Sequence, residues 1–77
     1  MTPQEFLRTA PIGMRVVVRY LLGDGRATDA LGYLRSRDAE HVVVETKRRR
    51  EPVRLATVIA AKEVPPPPEP RSRRPGI

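Results

Sequence analysis

The stretch that decides the fold class is GMRVVVRYLL, residues 13–22. Three consecutive valines favour an extended strand, because β-branched side chains pack well on a pleated surface. Strand side chains alternate between faces, so Val16, Val18 and Tyr20 share one face while two arginines lie on the opposite face. One face of this strand is therefore suited to a core and the other to water, and the rest of the chain is expected to cover the apolar face.

Four further segments show short apolar patterns bounded by turn residues. They predict strands at residues 28–36, 41–46, 51–55 and 58–62. Gly23 to Gly25 supplies the positive-φ positions of the first reversal, and residues 55–57 predict a tight helical turn before the last strand. Gly32 lies inside the second strand, where a missing side chain is typical of a bulge or tight bend. Five short strands joined by short turns predict an all-β fold, a small barrel over residues 11–64.

The N-terminal residues 1–10 are predicted to form a short arm. Thr2 and Glu5 have the spacing of a capping box at the start of a helix. The segment has room for one or two turns, and an isolated helix of that length is marginal. We expect either a short helical arm with Phe6 and Leu7 against the barrel or a half-ordered segment.

The C-terminal residues 65–77 differ abruptly in composition from the rest of the chain. They hold six of the nine prolines, mixed with arginine and serine, and offer nothing from which to build a core. Such a sequence favours extended polyproline II and predicts a disordered linker or tail. Proline segments also bind aromatic-lined grooves, which leaves a ligand role as the alternative.

The net charge of +6 is concentrated in two places. Seven of the 15 cations form a run after the third strand and a cluster in the tail, and the remaining eight are outnumbered by nine acids. The candidate residues for binding a partner or phosphate are therefore Lys47, Arg48, Arg49, Arg50, Arg71, Arg73 and Arg74. The run at 47–50, flanked by Glu45 and Glu51, is either a solvated hairpin turn or a contact for phosphates or an acidic protein face.

No pattern of residues predicts catalysis, a metal or a cofactor. His41 is the single histidine, serine occurs only at positions 36 and 72, and there is no cysteine. Residues 23–25 lead into a strand, whereas a phosphate-binding glycine loop needs a following helix N-terminus. The apolar runs are too short for a membrane span, and we expect a soluble, cytoplasmic protein.

Three segments together resemble a known domain. They are GMRVVVRYLLGDGRATDALGYL at 13–34, HVVVET at 41–46 and PVRLATVIAAKEVPPPP at 52–68. They resemble the SH3-like barrel at the N-terminus of certain actinobacterial GNAT acetyltransferases, which are sometimes described as histone-acetyltransferase-like. Many such domains have glycine in the third turn, where this chain has Lys47 to Arg50.

The resemblance implies a five-stranded SH3-like barrel that serves as a non-catalytic accessory or interaction domain. Its expected partner is its own acetyltransferase domain, a substrate protein or another protein. The acetyl-CoA-binding fold of such enzymes follows the proline linker, so we expect no enzymatic activity and no cofactor in these 77 residues. Both a fragment and a gene product reduced to the barrel fit this expectation.

The alternative function is that of a stand-alone basic barrel that binds RNA or DNA nonspecifically. It would use Lys47 to Arg50 together with the arginines of the tail. Phe6, Tyr20 and Tyr33 are the only aromatic residues, which leaves few groups for stacking on bases.

Overall fold

A computed structural model describes residues 1–66 of the chain, and these form one short helix and five strands. They are α1 (Pro3–Thr9), β1 (Arg15–Leu21), β2 (Ala27–Arg37), β3 (His41–Glu45), β4 (Arg50–Arg54) and β5 (Val58–Glu63), with a 3₁₀ turn (Leu55–Thr57) between β4 and β5. All five predicted strands and the predicted helical turn are confirmed, with strand ends within two residues of expectation. Most of the predicted linker, including its three arginines, lies outside the described residues.

The five strands form one antiparallel sheet in the order β4-β3-β2-β1-β5. All five strands and the helix contribute residues to a single buried cluster, so the sheet curves around one core. Within residues 1–66 no hydrogen-bonded pairing joins β4 to β5. The coarse prediction of an all-β fold is thus confirmed, while closure into a barrel is not found.

The core follows the predicted alternation of valines. Val16 and Val18 are fully buried, and Tyr20 is half-buried at the end of the same face. The inward-facing valines of β3 and β4 are buried too, and no polar or charged side chain is buried within residues 1–66. Burying a valine or leucine side chain contributes about 1.5–3 kcal/mol to stability. Apolar contacts therefore stabilise this interior.

The N-terminal helix α1 is part of this core. The capping box is present, since the Glu5 backbone N–H donates to Thr2 Oγ1 at 3.0 Å and the Thr2 N–H donates to Glu5 Oε1 at 3.1 Å. Leu7 has no exposed surface and packs within the main cluster. The segment is therefore folded onto the sheet, and the alternative of a half-ordered arm is wrong.

Four long-range hydrogen bonds, two from each of two side chains, fasten α1 at both ends. Gln4 Nε2 donates to two backbone carbonyls at the 3₁₀ turn, at 3.1 and 2.9 Å. The Arg37 guanidinium donates to the carbonyl oxygens of Leu7 and Ala10. The carbonyls at the end of a helix lack partners inside it, so Arg37 satisfies groups that would otherwise need water.

The predicted irregularity at Gly32 is a close approach between strands. The β1–β2 register runs without a shift across Gly32, and the register shift of β2 lies between Leu34 and Ser36, where it pairs with β3. A Cβ atom on Gly32 would overlap the backbone carbonyl of Glu45 at the end of β3. Glycine is thus required here for the passage of a neighbouring backbone.

Candidate functional site

Among residues 1–66, the first half of β2 has a neighbouring strand on one side only. β2 has eleven residues and pairs with β1 from Ala27 to Tyr33, whereas β3 has five and joins β2 only from Tyr33 onward. Within residues 1–66, residues 27–32 therefore have no strand on the β3 side. This leaves a partial edge next to the turn that connects β3 and β4.

A groove of about 840 Å³ lies between this edge and the β3–β4 turn. Residues 28–33 of β2 line one side without a break, and residues 46–49 line the other. Apolar surface comes from Tyr20, Leu22, Leu31 and the ring of Tyr33. Leu22 and Leu31 are each more than two fifths exposed.

The β3–β4 turn is held in shape by Thr46. Its Oγ1 accepts from the backbone N–H groups of Arg48 and Arg49 at 3.2 and 3.3 Å and donates to the Arg49 carbonyl at 3.0 Å. The Thr46 backbone N–H also donates to that carbonyl, at 2.9 Å. Threonine commonly replaces a backbone turn in this way, which explains why this turn closes without glycine.

Two of the four cations at 47–50 are neutralised by the flanking acids. Arg49 Nε lies 2.8 Å from Glu51 Oε2, and Arg50 Nε lies 3.9 Å from Glu45 Oε1. The hydrogen bond from Arg49 to Glu51 and their opposite charges raise the pKa of the guanidinium further. Lys47 and Arg48 make no ion pair within residues 1–66.

The three carboxylates of the groove and Arg35 form ion pairs, whereas Arg15 donates to the backbone carbonyl of Pro65. Arg35 Nε donates to Glu45 Oε1 at 2.7 Å, and its guanidinium carbon lies 5.4 Å from the centre of the Tyr33 ring. That hydrogen bond, with the positive charge, holds the pKa of Glu45 below its usual range. Asp29 lies 3.3 Å from Arg19. Each carboxylate of the groove thus has a cation beside it, and the uncompensated charge is positive.

Tyr20 lies where the apolar and charged sides of the groove meet. Burial raises the pKa of its hydroxyl, and the nearby Glu51 carboxylate raises it further, against a smaller opposing effect of Arg49. The hydroxyl is therefore neutral at physiological pH and available as a hydrogen-bond donor.

The structure brings together only part of the predicted site. Lys47, Arg48 and Arg49 are exposed and line the groove, whereas Arg50 begins β4 and is not among the lining residues. Arg71, Arg73 and Arg74 lie outside the described residues. The β2 edge and its apolar neighbours were missed, although the signal was available: a long second strand predicted beside a shorter third one.

The histidine contributes to a turn. Asp38 Oδ1 accepts from the backbone N–H groups of Glu40 and His41 at 2.8 and 2.7 Å and lies 3.6 Å from His41 Nδ1. The two backbone bonds lower the pKa of Asp38. In the part of the chain that the structure describes, no three His, Asp or Glu residues are grouped so that they could hold a metal ion. The same part has no helix of the length and apolarity that crossing a bilayer requires.

Comparison with known proteins adds no relative. The sequence matches no protein-family model, and neither a curated protein nor a solved structure shows significant similarity to it. The resemblance to barrels of GNAT acetyltransferases therefore depends on the three sequence segments quoted above, and the candidate site depends on the geometry of the groove.

Proposed function

We propose that this chain is a non-catalytic, SH3-like interaction domain that binds a protein partner, with a GNAT acetyltransferase domain as the first candidate. The observation that carries the proposal is the groove between β2 and the β3–β4 turn. It combines exposed apolar side chains with cations that lack an ion pair within residues 1–66, a combination suited to binding a surface.

The fold supports the SH3-like part of this proposal. Short antiparallel strands that curve around one core, with a 3₁₀ turn before the last strand, are typical of such barrels. A fold of this kind carries many unrelated functions, so the function must come from the site. Here the site offers surfaces for contact, and its carboxylates are engaged by arginines.

Titration with a GNAT acetyltransferase domain is expected to give saturable binding centred on the groove. Amide NMR signals of Leu31, Tyr33 and Lys47 should shift in the ¹⁵N-labelled chain.

Leu31→Ser should weaken the binding about tenfold, because it removes apolar contact area at the edge. Ile59→Ser is the matched control, because Ile59 on β5 is equally exposed and is not a lining residue. Absence of binding up to about 1 mM would refute this choice of partner.

Acetyl-CoA is expected to leave the melting temperature unchanged. A ligand at a hundred times its Kd stabilises a protein by about 2.7 kcal/mol, or roughly 10 °C or more in a domain of this size. Differential scanning fluorimetry with and without acetyl-CoA measures the difference. A clear rise would contradict the non-catalytic assignment, because it would reveal a cofactor site on these residues.

Nonspecific binding of RNA or DNA is the second candidate function. Lys47 and Arg48 favour it, because both are exposed and neither forms an ion pair within residues 1–66. Against it, the same groove carries three carboxylates, and the half-buried ring of Tyr33 lies beneath the Arg35 guanidinium. The protein partner is therefore preferred, and nucleic acid enters the following test as a competitor.

A further inference from the structure

Residues 27–32 of β2, which pair with β1 alone within residues 1–66, present backbone hydrogen-bonding groups to the groove. Leu34 exchanges hydrogen bonds with the backbone of Gly13 and Met14, on the β1 side of β2, at 2.6 and 2.9 Å. Backbone groups alternate sides along a strand, and the β1–β2 register has no shift between this point and Ala27. Asp29 and Leu31 therefore direct their N–H and C=O groups away from β1, toward the groove.

This edge differs from the two outer edges of the sheet. β4 carries Pro52 between arginines, and β5 is irregular where it pairs with β1 and ends in charged residues. Proline, charge and bulges are the usual devices that prevent a strand edge from pairing with another chain. Residues 27–32 contain no proline, their register is regular, and their one charged residue, Asp29, is in an ion pair with Arg19. Of the edges described here, this one is the least protected.

We propose that an extended, acidic segment of a partner protein binds by adding as a strand to residues 27–32 of β2, inside the groove. The proposal rests on the assigned function as an interaction domain and specifies its mode of binding. Backbone hydrogen bonds to Asp29 and Leu31 supply affinity, and alternate side chains of the segment supply specificity.

The charges of the groove determine the chemistry of the segment. Each acidic residue of the groove lies beside an arginine, while Lys47 and Arg48 have no ion pair within residues 1–66. A carboxylate on the added strand would meet these two cations across the groove, and an apolar side chain would meet Leu31 and the ring of Tyr33. The segment should therefore alternate acidic and apolar residues.

A second copy of this chain fits the groove less well. Edge-to-edge pairing would bring together two chains that each carry a net charge of +6. The same positive charge that repels a second copy attracts an acidic partner and favours its binding.

The test uses the full ¹⁵N-labelled chain and a capped peptide of alternating glutamate and valine, about eight residues long. Amide hydrogen exchange should slow at least about tenfold at Asp29 and Leu31. Exchange at Thr28 and Ala30 should stay unchanged, because their groups face β1 and are already bonded.

The same peptide with every backbone nitrogen methylated should bind at least about tenfold more weakly, because it lacks the N–H groups that an added strand donates. Equal binding of both peptides would overturn strand addition.

Charge reversal tests the acidic part of the proposal. Lys47→Glu combined with Arg48→Glu should weaken peptide binding by about tenfold or more at low salt. The matched control is Arg8→Glu combined with Lys62→Glu, two exposed cations away from the groove, which should change affinity less than about threefold. All four sites are exposed, so both variants should fold, as circular dichroism can verify. Unchanged affinity in the groove variant would refute the proposal.

Two further outcomes would identify a different occupant. Duplex DNA that displaces the peptide and binds more tightly would replace the acidic segment with nucleic acid. Protection of Asp29 and Leu31 that grows with protein concentration in the absence of peptide would indicate a second copy. If the acetyltransferase domain binds while exchange at these amides is unaffected, the interaction function stands and strand addition fails.

Discussion

Gly32→Ala is expected to destabilise the domain by about 3 kcal/mol or more, near the upper end for overpacking in a core. The new Cβ would overlap the carbonyl oxygen and carbon of Glu45 and approach the Cα of Thr46. These are backbone atoms, so no side chain can rotate away to make room. A chain of this length has a total stability of roughly 4–12 kcal/mol, so the variant would lose much of it. Urea denaturation followed by circular dichroism measures the loss.

Gly23→Ala is the matched control for this experiment. No atom lies within 4 Å of the position where its Cβ would be, and its φ is outside the left-handed region. Alanine there should change stability by less than about 1 kcal/mol, and it can stabilise by restricting the unfolded chain. Equal losses at the two glycines would show that β3 does not pass closely over Gly32 in solution.

The close approach at Gly32 also shows what the sequence could and could not predict about the fold. Alternating valines and short apolar patterns bounded by turn residues identified the five strands, because both signals require only local information. Gly32 itself was recognised as an irregular position, yet the register shift lies between Leu34 and Ser36, in a segment without glycine. That shift depends on how β3 meets β2, which is a matter of tertiary packing.

The same distinction applies to the groove. The run at 47–50 was identified from composition, and its neutralising acids from their adjacency. The pair of Glu45 and Arg50 follows from the β3–β4 register, whereas Glu51 pairs with Arg49 two residues away along the chain. The predicted strand lengths indicated that β2 would extend beyond β3, but which half of β2 is left as an edge depends on the β2–β3 register.

Leu7→Ala is expected to destabilise the domain by about 3 kcal/mol, within the usual range of 2–5 for a buried leucine. Leu7 is the one fully buried side chain of α1 and joins the same cluster as the valines of the sheet. Alanine would leave a cavity between helix and sheet, since the strands cannot shift inward without disturbing one another. Thermal and urea unfolding both measure the effect.

Arg8→Ala on the same helix is the control, because the side chain is exposed and a surface change there should cost less than about 0.5 kcal/mol. A small effect at both positions would mean that α1 is detached from the sheet in solution, although Gln4 and Arg37 fasten it here. No residue of α1 lines the groove. Below its melting temperature the Leu7 variant should therefore bind the acidic peptide as well as the parent chain does, which separates the role of the helix in stability from the role of β2 in binding.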